Sequence, residues 1–309
     1  MGTGQKPLYV QFLEYLEKDK FRSSFTIRAY RSDLIICADF LREKGVAGDM
    51  DARLIAAGGT QLKEFFEDRV GKSQAQATVY RKMFALKSFY GWAREKKRAV
   101  LNVDNPMAFL SSLTPPKRLG IKILGHSDVV KVLEMPNTRT FLGSRDRAML
   151  HLMFATGIRP SELLALKLDT LRLSKGEPAV KIPGARARTL RLTPEVRDSL
   201  KRYLRCRKNR NKKKIIRSRL LFLNKHYMPL ADRSLRRKID KYVEMASLSQ
   251  FVCPNTIRHT FAIEQLMNGT SMDDLNRLLG NRANSESSAI YTMVVAKLRS
   301  ESVEGGAAA

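Results

Sequence analysis

Two arginines and a tyrosine, far apart along the chain, have the residue types and local settings needed for phosphoryl transfer. Arg159 lies at a sharp break within the apolar run from Phe154 to Leu166, Arg258 follows much later, and Tyr291 lies near the end of the chain. A guanidinium can grip two non-bridging oxygens of a phosphate, and it keeps its charge at any physiological pH. A tyrosine hydroxyl can attack phosphorus and form a covalent intermediate. The three residues therefore predict cleavage of a phosphodiester without a metal ion.

The segment around Arg159 predicts a rigid junction between two helices. Thr156 and Gly157 are expected to end one buried helix, and Pro160 begins the next one. Glu162 falls in the first turn of this second helix, where a carboxylate suits the helix dipole. Glu162 is also a candidate catalytic residue, because it can orient a nearby guanidinium.

These segments together resemble the tyrosine recombinase family, which includes the phage integrases and the Xer-like enzymes. Arg159 matches the arginine of the family's A-T-G-x-R-x-S-E-L-L segment, and Arg258 matches the arginine of its H-x-x-R-H-T-F-A segment. Tyr291 matches the family's nucleophile, which follows a Leu-Leu-Gly-His sequence represented here by residues 278–281. The resemblance runs over nearly the whole chain. It implies site-specific DNA cleavage and rejoining through a 3'-phosphotyrosyl intermediate, as in an integrase, transposase or resolvase, with no metal, ATP or other cofactor.

Two family positions that usually carry proton-transfer side chains are occupied by asparagine. Asn255 replaces the histidine three residues before the second arginine, and Asn281 replaces the histidine or tryptophan after Leu-Leu-Gly. An asparagine can donate hydrogen bonds to a phosphate oxygen, but it cannot take a proton from Tyr291. Both remain candidate catalytic residues. His259, beside Arg258, is interpreted as a packing and hydrogen-bonding residue, with a role as a stand-in base as the alternative.

The family's lysine in a β-hairpin is also missing. Depending on the register, Ala185 or Pro183 stands where that lysine belongs. Its inferred task is to protonate the departing 5' oxygen, and arginine is a poor general acid because it holds its protons too tightly. The nearest possible hairpin cations are Lys181, Arg186 and Arg188.

The composition predicts a polyanionic partner, which the resemblance specifies as double-stranded DNA. The formal charge is +27, from 57 basic and 30 acidic side chains. A ribosomal-type protein or a merely soluble basic protein are the alternatives on charge alone. Three unpaired cysteines and four scattered histidines argue against a metal site and a disulfide scaffold, and they suit the cytoplasm. No apolar run is long enough to span a membrane.

The chain is long enough for two cores, and its pattern predicts two domains. We expect a mainly α (α+β) protein: an N-terminal helical bundle, by resemblance the SAM-like core-binding domain, and a mostly helical catalytic domain with a small antiparallel β-hairpin. The hairpin is expected from the alternating residues 179–182 and 189–192. The predicted ranges are 1–112 for the DNA-binding domain, 113–123 for a linker, 124–304 for the catalytic domain and 305–309 for a tail.

Further residues are predicted to mark helix ends in the second domain. Ser127 is expected to cap its first helix, Asn255 the helix that carries Arg258, and Ser271 the following helix. Gly280 is expected to end that last helix.

The resemblance also implies how the protein would meet DNA and other copies of itself. The N-terminal domain would clamp one face of the duplex, and two to four protomers, a dimer to a tetramer, would assemble on paired sites. The helix expected over residues 293–303 would dock on a neighbouring protomer. The basic segment 209–215 fits a phosphate contact and a solvated insertion equally well. The candidate DNA-binding cations are Lys72, Arg81, Lys82, Lys87, Lys117 and Arg118.

Other functions remain open at this point. The three replacements would suit a catalytically impaired DNA-binding relative, although the two arginines and the tyrosine are retained. A nicking enzyme of the type IB topoisomerase sort shares the chemistry but normally keeps the lysine. A basic RNA-binding protein would have no need of Tyr291.

Overall fold

The chain folds into two compact units, residues 1–118 and 119–309. The predicted linker falls largely outside the described residues, so the domain boundary stays a prediction. The computed structural model describes residues 6–20, 24–70, 76–95, 109–110, 121–174, 176–211, 218–281 and 285–306.

The N-terminal unit is helical throughout its described part. Its core is rich in aromatic residues, with Phe12, Phe89 and Trp92 in mutual ring contact. The apolar residues at helical spacing supply this core, which confirms the predicted bundle. The elements are α1 (Leu8–Lys18), α2 (Ser24–Glu43), α3 (Met50–Ala56), α4 (Gly59–Glu64), a π-helical turn (Phe65–Val70) and α5 (Gln76–Glu95).

The C-terminal unit is mostly helical and carries one small antiparallel sheet, as predicted. Its long buried helix α7 packs most extensively against α9 and α11. The helices are α6 (His126–Glu134), α7 (Phe141–Thr156), α8 (Pro160–Ala165), α9 (Pro194–Asn211), α10 (Asp232–Met245), α11 (Pro254–Met267), α12 (Met272–Leu279) and α13 (Glu286–Gly306), with a 3₁₀ turn at Leu168–Thr170. The last helix runs two residues into the predicted tail.

The sheet has the order β1-β2-β3, with β1 Leu171–Arg172, β2 Ala179–Ile182 and β3 Arg188–Arg191. Val180 lies opposite Leu190 in the predicted hairpin, and both side chains are buried. The strand β1 was not predicted, because two residues are too few to show alternation. The hairpin turn, residues 183–187, projects toward the C-terminal end of α12.

Helix ends follow the predictions at Gly157, Ser271 and Gly280. Gly157 and Gly280 adopt positive φ angles of 58° and 60°, and the Ser271 hydroxyl accepts a hydrogen bond from the Asp274 backbone N–H. At Gly157 a Cβ atom would lie 2.5 Å from the Phe261 ring, so both the conformation and the packing require glycine.

Two predicted caps are wrong. Helix α6 begins after Gly125, and Ser127 lies inside its first turn. Helix α11 begins after Cys253, and Asn255 lies inside its first turn. Pro254 explains the second case: a proline restricts the preceding residue to extended backbone and is itself well suited to the first helical position.

A buried ionic network fixes α7, the helix that leads to Arg159. Arg145 donates to Asp146 and to the carbonyl of Leu223, at 2.7 and 2.6 Å. Asp146 also accepts a hydrogen bond of 2.9 Å from the Tyr242 hydroxyl, which ties α7 to α10. Because the buried charges are paired and hydrogen-bonded, α7 has a fixed position from which the helix junction can project.

No helix within the described ranges is long and apolar enough to cross a membrane.

Candidate active site

The C-terminal end of α12 gathers four arginines. The last carbonyls of a helix have no partner within the helix, and they form the negative end of its dipole. Here the backbone N–H groups of Gly280 and Asn281 bond to the carbonyls of Arg277 and Asn276, a Schellman ending. The carbonyls of residues 278, 279 and 280 are left to point outward, where they accept hydrogen bonds from arginine side chains.

Arg159 spans this helix end from the junction between α7 and α8. Its Nη1 donates to the carbonyl of Leu279 at 2.8 Å, and its Nη2 donates to the carbonyl of Gly280 at 3.1 Å. Nη2 also donates to Asn281 Oδ1 at 2.8 Å. Burial lowers the pKa of Arg159, and Glu162 acts against this. Arg159 is thus aimed by backbone atoms that hold it without neutralising it.

Arg258 reaches the same helix end from α11. Its Nη1 donates to the carbonyl of Gly157 at 2.6 Å, and its Nη2 donates to the carbonyl of Leu279 at 2.8 Å and to Asn281 Oδ1 at 2.9 Å. Burial, with the like charge of Arg159, lowers the pKa of Arg258 to about 10. It is therefore still cationic at neutral pH. The Oδ1 atom of Asn281 holds both guanidiniums side by side.

The hairpin brings two more arginines to this cluster. Arg188 donates from Nε to the carbonyl of Leu278 at 2.6 Å, and its Nη1 and Nη2 donate to the two carboxylate oxygens of Glu162 at 2.8 and 2.9 Å. Arg186, which is exposed, donates to the carbonyl of Gly280 at 3.0 Å. The fork of Arg188 occupies Glu162, so this carboxylate holds the hairpin against α8 more strongly than it holds Arg159, 3.4 Å away.

Glu162 remains ionised in this setting. Burial raises the pKa of its carboxyl group, but hydrogen bonds from Arg188 and from the Arg159 backbone N–H outweigh burial and hold the pKa below its usual value. Glu162 is the one carboxylate among the described hydrogen-bond partners of these four arginines, and it bonds to Arg159 and Arg188. The site has a surplus of positive charge, which suits an anionic ligand.

Tyr291 is buried on α13, 1% exposed, and contacts His259. The Nδ1 atom of His259 lies 3.0 Å from the Tyr291 hydroxyl oxygen, and the two rings meet edge to face with their centroids 5.7 Å apart. Burial raises the pKa of Tyr291, and the charges of Arg258 and Arg159 act in the opposite direction. His259 therefore packs and forms a hydrogen bond as interpreted from the sequence, and its partner is the predicted nucleophile.

A cavity of about 750 Å³ opens beside this cluster. The hairpin residues Ala185, Arg186 and Arg188 line one side of it, and Gly280 and Asn281 line the other. Within the described residues, no three His, Cys, Asp or Glu side chains come together as a metal site would require.

Asn281, which lines this cavity, has one buried unsatisfied group. Its Oδ1 accepts from two arginines, which fixes the orientation of the amide. Its Nδ2 is buried and has no hydrogen-bond partner in the described part of the chain. A buried donor without a partner costs about 1–3 kcal/mol, so an oxygen ligand that reached it would be stabilised.

Two of the predicted site residues lie away from the arginine cluster. Asn255 is exposed in the first turn of α11 and has no side-chain hydrogen bond among the described residues. Lys181 is exposed on β2, opposite Thr189, and does not line the cavity. Of the three possible hairpin cations, Arg186 and Arg188 reach the α12 end.

The predicted DNA contacts of the N-terminal unit include one correction. Lys82 is 2% exposed, and its Nζ lies 2.9 Å from Asp33 Oδ1, so it is a buried structural ion-pair partner and not a DNA ligand. Arg81 also bonds to Asp33 but stays partly exposed. Lys87 is half-buried on α5. Three further candidates lie outside the described residues: Lys72, Lys117 and Arg118.

The sequence reasoning missed the backbone acceptors. The carbonyls of residues 278–280 hold all four arginines, yet a carbonyl carries no residue-type signal. A signal was available in Gly280, because a left-handed glycine ending leaves the last carbonyls of the helix pointing outward.

Comparison with known proteins agrees with this architecture. Residues 122–297 match the phage integrase family, and residues 10–97 match the phage integrase N-terminal SAM-like domain. A tyrosine recombinase XerC from Thermodesulfovibrio yellowstonii is 32% identical over 285 residues, which cover 92% of this chain and 90% of that protein. A tyrosine recombinase XerD from Staphylococcus aureus is 29% identical over 286 residues, with 92% of each chain covered.

Two solved structures share the fold. One is the XerH site-specific recombinase bound to a palindromic difH substrate, with a TM-score of 0.74 and 19% identity over 96% of this chain and 84% of that one. The other is the Tn1549 transposon integrase in complex with transposon right end DNA, with a TM-score of 0.69 and 17% identity over 97% of this chain and all of that one. With the family match over most of the C-terminal unit and the identity to the XerC protein, the chain belongs to the phage integrase family of tyrosine recombinases.

Proposed function

We propose that this protein cleaves and rejoins double-stranded DNA at specific sites, with Tyr291 as the nucleophile and a 3'-phosphotyrosyl link as the intermediate. Its family is one of DNA cleavage and rejoining. The observation that carries the assignment of residues is the arginine cluster at the end of α12, within electrostatic reach of the Tyr291 hydroxyl.

Arg159 and Arg258 bind the non-bridging oxygens of the scissile phosphate. Each retains N–H groups that have no hydrogen-bond partner in the described ranges: Nε of both residues and one Nη1 hydrogen of Arg258. Preorganised cations stabilise the charge that develops on the pentavalent phosphorus without any rearrangement of solvent. Two such arginines supply the charge that a metal ion would otherwise provide, so the reaction needs neither a metal nor ATP.

Asn281 and Arg186 complete the phosphate pocket. Asn281 aligns the two guanidiniums through Oδ1 and offers Nδ2 to a phosphate oxygen. Arg186 stands on the hairpin turn, where it neutralises charge near the departing 5' oxygen without serving as its proton donor. Asn255 is exposed outside this pocket, in the first turn of α11, and we assign it a contact with the DNA backbone away from the scissile phosphate.

The protein works as a homo-oligomer of two to four copies on DNA, in the cytoplasm. The structural relatives include a lambda integrase tetramer bound to a Holliday junction. Helix α13 packs on its own chain through Val295, and Arg299 donates to the carbonyl of Leu266. Met293, on the same helix, is exposed and offers an apolar contact to a neighbouring protomer.

The test is covalent trapping. Duplexes that bind the protein are selected from the DNA flanking its gene, nicked near the bound site and incubated with wild type, Tyr291→Phe or Tyr9→Phe. Tyr9 lies in the N-terminal unit and serves as the matched control. We expect a protein–DNA adduct on a denaturing gel with wild type and Tyr9→Phe, and none with Tyr291→Phe.

Bound sites that never give an adduct with wild type would refute the proposal. They would assign the chain to the catalytically impaired, DNA-binding relatives instead. An adduct that persists in Tyr291→Phe would show that another residue is the nucleophile.

A further inference from the structure

We infer that His259 is the general base that removes the proton from Tyr291 during cleavage and returns it during rejoining. The inference rests on the proposed function, because it assigns the proton transfer of that same reaction. It gives this chain a proton acceptor in place of the family histidine that Asn255 replaces.

The geometry places the imidazole directly on the nucleophile. His259 Nδ1 lies 3.0 Å from the Tyr291 hydroxyl oxygen, which is the separation of an ordinary hydrogen bond. The edge-to-face ring contact fixes the relative orientation of the two side chains. A candidate base must be within hydrogen-bond reach of the proton that it abstracts, and His259 meets this requirement before DNA binds.

The geometry of helix α11 explains how two adjacent residues can reach the phosphate-binding cluster and the tyrosine hydroxyl. Successive residues on a helix point about 100° apart. Arg258 therefore points toward Gly157 and the end of α12, while His259 points toward α13 and Tyr291. The group that holds the phosphate and the group that holds the phenol are adjacent residues on one rigid element, so their separation is fixed.

The nucleophile needs such a base. Burial raises the pKa of Tyr291, and the two arginines that oppose this effect do not reverse it. Asn255 and Asn281 have no nitrogen that can accept a proton, and Asn255 is exposed away from the tyrosine.

The charged groups around this pair leave the histidine as the proton acceptor. Arg258 and Arg159, whose charges act on Tyr291, are cations. The Glu162 carboxylate is engaged by Arg188 and by the Arg159 backbone. No carboxylate bonds to the Tyr291 hydroxyl in the described part of the structure.

Protons and electrons balance in both directions of the reaction. With its hydrogen on Nε2, His259 accepts the Tyr291 proton at Nδ1 as the tyrosine oxygen forms its bond to phosphorus. The bond from phosphorus to the 5' oxygen breaks, and this oxygen leaves with the electron pair and takes a proton from water. In rejoining, the 5' hydroxyl gives its proton to solvent and attacks phosphorus, the bond from tyrosine to phosphorus breaks, and protonated His259 returns its proton to Tyr291.

The first experiment compares wild type with His259→Asn under single-turnover conditions. The asparagine Oδ1 can still accept a hydrogen bond from Tyr291 but cannot take its proton. We expect the cleavage rate at neutral pH to fall by about 10²–10⁴-fold, the usual contribution of a general base. DNA affinity and the unfolding temperature should stay close to those of wild type. His226→Gln, which changes an exposed histidine in a turn, should leave the rate unchanged.

The second experiment separates proton transfer from positioning. Tyr291 is replaced by 3,5-difluorotyrosine, whose hydroxyl ionises more readily. If His259 is the base, this replacement should restore most of the rate lost in His259→Asn and change the rate of the His259 protein much less. The rate of the His259 protein should also fall at acidic pH as the imidazole becomes protonated, and His259→Asn should lack this dependence.

Three results would overturn the inference: an undiminished rate in His259→Asn, a loss that difluorotyrosine does not reduce, or an acidic limb that persists without the histidine. These results are distinguishable from failure of the proposed function, because in that case wild type itself would form no adduct with DNA.

Discussion

Arg159, Arg186 and Arg258 are held mainly by backbone carbonyls. A carbonyl accepts a hydrogen bond and fixes the direction of a guanidinium, but it does not cancel the positive charge as a carboxylate would. Arg258 has only carbonyl and amide oxygens as described partners. The charge therefore stays available for a phosphate, while the orientation is set before DNA arrives.

Arg159 is the residue on which cleavage should depend most sharply. We expect Arg159→Ala to lower the cleavage rate by at least about 10²-fold, since a preorganised donor to the transition state is lost, with only a modest effect on DNA affinity. Arg159→Lys should also fail, because an ammonium cannot reproduce the planar fork. Adduct formation and DNA affinity are measured side by side, with the exposed Arg191→Ala as the control. Equally large losses of cleavage rate and DNA affinity in Arg159→Ala would instead show that Arg159 has a structural role.

Glu162 should contribute stability in a pH-dependent way. Its pKa in the folded protein lies below the ordinary value of 4.5, so its contribution is fully present above that pH and is lost as the pH falls through the lowered value. Glu162→Gln should lower the free energy of unfolding by about 1–3 kcal/mol at pH 7, because Arg188 loses its charged partner. Denaturant unfolding at pH 7 and pH 4 should show a smaller difference between the two proteins at pH 4. A difference that grows on acidification would contradict this assignment.

At the scale of the elements, the C-terminal end of α12 organises the site. Gly280 combines a positive φ with close approach: a Cβ atom there would lie 2.8 Å from Arg188 Nη1 and 3.4 Å from Arg159 Nη1. Gly269 ends α11 with φ +87°, and a Cβ atom there would meet nothing within 4 Å. An alanine would therefore adopt an unfavourable positive φ at either position, but only at Gly280 would its Cβ atom also contact the arginines.

This pair provides a matched test. Gly280→Ala and Gly269→Ala should each destabilise the fold by about 1–2 kcal/mol, the cost of left-handed backbone for an alanine. Only Gly280→Ala should also slow cleavage, because its methyl group displaces the guanidiniums. Thermal unfolding and adduct formation measure the two effects. Equal loss of cleavage in both variants would show that strain at a helix end, and not displacement of the arginines, limits the reaction.

The hairpin is the second element that reaches the site. Ala185 lines the cavity beside Asn281, whereas Pro183 is absent from its lining. Ala185→Lys should therefore accelerate cleavage by supplying a proton donor for the 5' oxygen, within the range of about 10²–10⁴-fold for general acid catalysis. Thr189→Lys adds the same charge at an exposed position on β3 that does not line the cavity, and it should accelerate cleavage less. The comparison uses single-turnover rates on a nicked duplex, and an unchanged rate in Ala185→Lys would remove this position from the proton-transfer path.

At the scale of the whole molecule, a formal charge of +27 governs association with DNA. Each phosphate that is neutralised releases counterions, so the logarithm of the binding constant should fall linearly with the logarithm of salt concentration, with a slope near −0.9 per phosphate. Fluorescence anisotropy with a labelled duplex at several salt concentrations measures the slope. We expect a steep dependence, and a flat one would remove the electrostatic explanation of the charge.

The helix junction at Arg159 shows what could be predicted from local sequence. Gly157 can adopt the left-handed ending, and Pro160 can begin the next helix, whatever the rest of the chain does. The same holds for the apolar spacing of the N-terminal helices and for the alternation in the hairpin. The candidate nucleophile and arginines were found through linear motifs, so their identity required no coordinates.

Lys82 and Asn255 show that local sequence does not predict which side chains are buried or which residue caps a helix. Residue type predicts Lys82 as a DNA contact and Asn255 as a helix cap. The fold buries Lys82 against Asp33, a residue 49 positions away, and Pro254 starts α11 so that Asn255 lies inside the first turn and not at the cap. Which cation faces solvent depends on how helices pack, and the packing is set by contacts between residues distant in sequence.

Sequence by itself determined the family, the fold class and the types of side chain available for the reaction, because these are encoded in local patterns and motifs. Tertiary structure decided how the side chains are held and paired. It brought the carbonyls of residues 278–280 within hydrogen-bond distance of four arginines. It also paired Glu162 with Arg188 and placed His259 in contact with Tyr291. Such pairings arise when α8, α11, α12, α13 and the hairpin converge, and backbone acceptors have no residue type that a sequence could reveal.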